Sequence, residues 1–202
     1  MQFVPVAERI IDAVLESQPQ LAAEAGDHRF DDRLADLSTD GVARQVAMLR
    51  DASAALSQVD DEELEPGERV DHAVLLSFVE RLLFEYTEVR EHEWDPLAHN
   101  PGSLLYALIA RAYAPAQQRL ASLSGRLAAV PDALASARAT LRDCPRIHLE
   151  TAVGQFTGTA ALIRDELPAL LEQAPGAAAL VEAPAGRAVA ALEEFVGWLR
   201  GR

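Results

Sequence analysis

The sequence predicts an all-α fold: an irregular multi-helix bundle of about six to eight antiparallel helices without a sheet. Alanine is abundant, strand-like alternation of apolar and polar residues is absent, and Pro and Gly punctuate the chain between amphipathic runs. Half of the 202 residues are apolar, enough to bury a substantial core. Residues 1–202 are therefore read as one helical domain, with N-terminal helices and an ordered acidic loop over 26–38 in residues 1–100, and C-terminal helices in 101–202.

Pro5 suits a first helical turn, where its missing N–H costs nothing, and places Val6, Ile10, Ile11, Val14 and Leu15 on one face of a helix ending near Gly26. Pro19 kinks or divides it. The stretch from Gly26 to Ser38 is polar and irregular, and Phe30, Leu34 and Leu37 can pin it to the helical body as an ordered loop. Ser38 or Thr39 caps a second helix through Val42, Val46, Leu49 and Leu56, with Asp40 opposing the positive end of the dipole. After the acidic tract Asp60-Asp61-Glu62-Glu63, Pro66 opens a third helix in which Leu75, Val79, Leu82, Tyr86 and Val89 form one stripe, widened by Leu76, Phe78 and Leu83. This stripe predicts a central helix, running out near Trp94-Asp95-Pro96.

Asn100-Pro101-Gly102 marks a turn before Leu104, Leu105, Leu108 and Ile109. Pro115 either kinks that helix or starts a new one carrying Leu120, Leu123 and Leu127. Pro131 is expected to start a short helix through Leu134 and Leu141 that stops at Asp143-Cys144-Pro145. A long helix follows, with Leu149, Val153, Phe156, Ala160, Ile163 and Leu167 inward, and with Gly154 and Gly158 offering room for a neighbouring helix. Pro175-Gly176 and Pro184 to Gly186 are expected to interrupt the chain before a last helix with Val189, Leu192, Phe195 and Leu199.

All 18 basic residues are Arg and none is Lys, against 32 acidic ones, giving a formal charge of −14. Such a balance opposes nucleic acid and anionic lipid as partners. No run approaches the roughly 18 apolar residues that cross a bilayer, and Met1 to Glu16 do not read as a secretory leader. A cytoplasmic protein is expected, with no membrane partner. Cys144 is the lone cysteine, which excludes an internal disulfide and agrees with a reducing compartment. Pro145 follows it with no helix start or Gly-rich context, so it reads as a structural thiol rather than a nucleophile.

Histidines stand at positions 28, 72, 92, 99 and 148. A zinc-peptidase helix needs two His four residues apart with a Glu after the first. His92-Glu93-Trp94-Asp95-Pro96 begins that way but places Pro where the second ligand belongs. His148-Leu149-Glu150 lacks the downstream Pro-Cys-x-x-Cys of a nucleobase deaminase. A scattered site from His92, Asp95 and His99 weighs less than packing histidines. Nucleophile-elbow, P-loop and dinucleotide motifs are absent, and Trp94 and Trp198 read as packing residues. The strongest polar constellation is Asp27, His28, Asp31 and Asp32, candidates for holding a charged substrate group. The plainer reading, which weighs more, is that they hydrogen-bond locally and stiffen the loop. No catalytic residue and no metal ligand is assigned.

The run Gly26-Asp27-His28-Arg29-Phe30-Asp31-Asp32-Arg33-Leu34-Ala35-Asp36-Leu37-Ser38 resembles the N-terminal signature of the bacterial domain-of-unknown-function family 885. The likeness continues through Trp94-Asp95-Pro96, Asn100-Pro101, the Arg119 to Pro131 region with Arg126-Leu127, and His148-Leu149-Glu150-Thr151-Ala152. The resemblance implies a longer protein similar to gluzincin-type zinc metallopeptidases, whose zinc helix lies in a C-terminal half not represented here. No zinc ligand or catalytic Glu carries over, because no position matches, so no cofactor is expected in this chain. The expected role is a non-catalytic helical part that walls a peptide-binding channel, without activity alone. The alternative is a free-standing helical interaction module that has lost catalysis and takes a peptide or protein partner. Apolar helix faces left uncovered by a missing half would favour self-association.

Overall fold

The structure is a computed structural model and describes residues 2–202, the side chain of Asp61 excepted. Met1, in the leader reading, and that side chain, in the acidic tract, lie outside the described residues. The fold is an all-α multi-helix bundle, with no strand among the described residues. In chain order the helices are α1 (Phe3–Ser17), α2 (Pro19–Glu24), α3 (Thr39–Ser57), α4 (Pro66–Phe84), α5 (Glu91–Trp94), α6 (Gly102–Ala110), α7 (Ala116–Thr140), α8 (Arg146–Gln173) and α9 (Ala178–Arg200).

Local chemistry sets most boundaries. Pro19 divides the first helix, standing at the first position of α2. The Ser38 hydroxyl accepts from Gly41 N–H and caps α3. At the start of α4, Glu65 N–H donates to the Glu68 carboxylate, and Pro66 holds the first turn. Pro115 precedes α7 as its cap, so it starts a helix and does not bend one. The carbonyls that end α6 are taken by a side chain: Arg119 Nη1 donates to Leu108 O at 2.9 Å and Ile109 O at 3.1 Å.

Two apolar clusters result. The larger joins α6, α7, α8 and α9, with Leu123, Leu127, Phe156, Leu192 and Phe195 fully buried. The smaller joins α1, α3 and α4 through Val6, Val14, Leu49, Leu56 and Val79. The sequence stripe of α4 does build a core, but the smaller one, so α4 is not the central helix; α7 and α9 hold that place. The stripe also fails at its far end. Beyond Phe84 the chain widens into a π-turn over Glu85–Val89, closed by Arg90 in the left-handed region at φ 52°, and the shifted register leaves Val89 exposed.

Pro131 and Pro184 do not break the chain as expected. Pro131 lies inside α7 and Pro184 inside α9. An interior proline costs about 3 kcal/mol through its lost hydrogen bond and ring clash. Burying each large aliphatic side chain contributes roughly 1.5–3 kcal/mol. Leu127, Val130 and Leu134 flank Pro131 in the core, and Val181, Ala188 and Leu192 flank Pro184, so continued packing outweighs the local penalty. The reading of Gly154 and Gly158 also needs correction: a Cβ on either would meet nothing within 4 Å, so no helix approaches there. Their face of α8 is solvent-exposed.

Candidate functional site

The loop that precedes α3 gathers all four sequence candidates, each with a partner inside the protein. Asp27 Oδ1 accepts from Arg29 N–H at 3.1 Å, and the Arg29 guanidinium spans Asp27 and Asp12 of α1. Hydrogen bonding from Arg29 holds the Asp27 carboxyl below its usual range. His28 stacks on Tyr113 with ring centroids 4.1 Å apart, and its Nδ1 lies 3.0 Å from Asp31 Oδ2. Asp31 is buried, and the Tyr113 hydroxyl donates to it. Burial, then the bond to Asp31, pushes the Tyr113 phenol well above its ordinary value. Asp32 is exposed, 3.8 Å from Arg33 Nε.

The whole turn is held against α7 from below. Arg126, buried completely, donates from Nε to Arg33 O at 3.0 Å and from Nη1 to Leu104 O at 2.8 Å. Gly125 lets the backbone come close, since a Cβ there would stand 2.8 Å from Asp32 O. The arrangement stiffens the loop and ties it to both cores.

A concavity lies beside this network rather than in it. A cleft of about 630 Å³ runs between α2, the 34–37 segment, the π-turn, α5, the turn at 98–101 and the middle of α7. Its apolar lining includes Leu21, Leu34, Leu37, Leu82 and Leu104; its polar lining includes Tyr86, Glu91, His92, His99 and Asp132. Asp27, His28, Asp31 and Asp32 are not among the lining residues. The loop thus contributes to the cleft through its second half.

The π-turn and the left-handed Arg90 re-aim the chain so that α5 presents Glu91 and His92 to the cleft. His92 packs on Tyr86 with ring centroids 5.9 Å apart. His99 Nε2 is 2.8 Å from His92 O, which fixes one turn on the other. Burial lowers the pKa of both histidines, so both rings are neutral at pH 7. Glu91 moves the other way, its carboxyl raised by burial and by the charges of Asp95 and Glu85. Asp95 turns aside: its Oδ1 accepts from Leu97 N–H, and its Oδ2 lies 2.9 Å from His148 Nδ1. Among the described residues no three His, Cys, Asp or Glu side chains converge as a cation-ligand group. Cys144 is half-buried, and that burial raises its thiol pKa, away from thiolate chemistry.

The model of the family described as "Bacterial protein of unknown function (DUF885)" matches residues 19–202. The chain belongs to this family. A solved structure described as "a putative lipoprotein of unknown function from Shewanella oneidensis" shares the family chain's fold with a TM-score of 0.91 at 24% identity. The match covers 100% of this chain and 37% of that one, so the chain spans little more than a third of the length of that structure. At that identity the likeness speaks for the fold alone. No curated protein matches. No helix among the described residues is long and apolar enough to cross a membrane.

Within the family segment, sequence reasoning weighed His92, Asp95 and His99 together but did not find the cleft. The structure does bring them into one turn-rich region, with His99 and Asp95 engaged in backbone and side-chain bonds and His92 facing the cleft. The sequence reading names neither Glu91 nor Asp132 and places Tyr86 only in the apolar stripe of α4. Tyr86 and Glu91 reach the cleft through the π-turn, whose register change no periodicity marks, and Asp132 joins them from the middle of α7.

Proposed function

We propose that this family member is a non-catalytic helical wall of a peptide-binding channel, working within a longer protein related to zinc metallopeptidases. The observation that carries the reading is the cleft between the two cores, whose volume of about 630 Å³ and mixed leucine and carboxylate lining suit a stretch of extended peptide. The length of the matched structure, of which this chain covers 37%, leaves room for catalytic residues elsewhere in a longer chain. Among the described residues no group fits zinc, which the family resemblance implies.

The test is a peptidase assay on residues 1–202 with added zinc, paired with peptide titration followed by amide NMR. No zinc-dependent cleavage is expected, together with shifts at residues 85–92 and 129–136 on peptide addition. Cleavage abolished by a chelator would overturn the non-catalytic assignment. A second reading, a free-standing interaction module, draws on the exposed Val70, Val74 and Phe84 of α4. Under it the chain self-associates through α4, and Val74→Glu yields a monomer by light scattering. Unchanged association in that variant would remove this reading.

A further inference from the structure

The charges around the cleft are one-sided. Glu24, Asp36, Glu85, Glu91 and Asp132 line it and no Arg does, in a chain without lysine. Three of these carboxylates are satisfied locally: Gln20 Nε2 donates to Glu24 at 3.1 Å, Arg44 pairs with Asp36 at 2.6 Å, and Arg81 pairs with Glu85. Glu91 and Asp132 have neither an ion pair nor a hydrogen bond from any side chain among the described residues. They come from α5 and α7, which pack on each other. The Glu91 carboxyl is raised first by burial and then by the charges of Asp95 and Glu85.

His92 is an independent pointer to a ligand. It is only 7% exposed, and it lines the cleft. Its Nε2 stands 3.8 Å from Glu93 Oε1, beyond hydrogen-bond reach, and no other hydrogen bond to its ring is found among the described residues. Neither ring nitrogen is among the fully enclosed polar atoms, so the ring meets the solvent of the cleft and is free to bond an incoming donor. A neutral imidazole can accept from an incoming N–H without repelling a cation.

The ligand class follows from what surrounds these groups. An anion would meet five lining carboxylates, while the nearby guanidiniums of Arg44 and Arg81 are already paired with Asp36 and Glu85. A bare divalent cation would need a ligand group that the described residues do not assemble. Leu21, Leu34, Leu37, Leu82 and Leu104 instead match an aliphatic stem that carries its charge at the tip. Resting on the reading of the cleft as a peptide site, we propose that it selects peptides bearing a Lys or Arg side chain, the stem lying on the leucines and the cationic head held by Glu91, Asp132 and the His92 ring.

The test titrates the full chain, by calorimetry and by imidazole ¹⁵N NMR, with a capped alanine pentapeptide carrying one central lysine. The comparison probes are the same peptide with its lysine acetylated, and spermidine. The lysine peptide is expected to bind about tenfold more tightly than the acetylated one, and to lose that advantage at high salt. The His92 ring signal should move on binding, and Glu91→Gln combined with Asp132→Asn should reduce affinity about tenfold while leaving acetyl-peptide binding unchanged. Both substitutions fall on exposed side chains and should spare the fold. Equal binding of the two peptides would overturn charge selection yet leave the peptide channel standing, whereas no binding of either would sink both. An unmoved His92 signal, or spermidine outbinding the lysine peptide, would also overturn the proposal.

Discussion

Arg126 Nη2 lies 3.8 Å from Asp31 Oδ1, and the two residues are 0% and 5% exposed. Charge opposes charge here away from water, where a group left alone is far more costly than at the surface. Nη2 makes no hydrogen bond among the described residues, so Asp31 is its nearest compensation. Burial pushes the guanidinium pKa down, and the Asp31 charge works to hold it up. The pair joins the loop that borders the cleft to the helix forming its floor.

Arg126→Met should therefore destabilise the protein by about 3–5 kcal/mol, because it leaves the buried Asp31 charge with only Tyr113 and His28 and frees the carbonyls of Arg33 and Leu104. Adding Asp31→Asn to that variant should recover part of the loss, since the stranded charge goes with it. Urea unfolding of both single variants and the double gives the coupling. Additive losses would mean that the two groups do not sense each other.

Acid should weaken the fold through buried imidazoles. The folded pKa of His99 is lowered by burial, so between that value and the unfolded value near 6.5 the unfolded chain binds the proton and the folded chain does not. Stability is then unaffected above that window and falls as pH drops through it. His92 acts in the same direction. His99→Gln can keep the bond to His92 O while losing the titration, so its stability should fall less between pH 6.5 and 5 than that of the parent. Parallel curves from thermal melts across that range would remove His99 from the account.

The prolines of the long helices show why much of this fold was legible and some was not. In α7, Leu120, Leu123, Leu127, Val130, Leu134 and Ala137 keep a three-four spacing straight through Pro131; in α9, Val181, Ala185, Ala188, Leu192, Phe195 and Leu199 do so past Pro184. The stripes are visible in the sequence, but the local penalty of proline is too, and the size of the core that outweighs it emerges only on assembly. The site was less legible still. Arg126 and the loop motif could be read as residues, but the cleft forms between segments far apart in sequence and depends on a π-turn without a signature.

Pro131→Ala follows from that balance. The alanine restores an N–H where Leu127 O lacks its helical donor, so the variant should be stabilised by about 1 kcal/mol or more, with about 3 kcal/mol as the ceiling. A rise in thermal midpoint with an unchanged helical spectrum is the expected record. A fall would mean that the packing of Val130 and Leu134 depends on the proline ring at this position.

Two glycines separate space from backbone freedom. At Gly41, a Cβ would stand 2.3 Å from Asp36 O and 2.4 Å from Asp36 Cγ, and Asp36 O is backbone that cannot swing aside. Gly41→Ala must therefore push the loop off the start of α3, with a cost of about 1–3 kcal/mol from overpacking. The Ser38 cap and the 34–37 wall of the cleft would move with it. At Gly154, in the interior of α8, nothing stands within 4 Å, and alanine gains only helix propensity, about 0.5–1 kcal/mol of stabilisation. Opposite shifts in the urea midpoint are thus expected from the same chemical change. If Gly154→Ala instead destabilised the protein, that face of α8 would have to be covered in solution, which would locate a contact between copies of the chain.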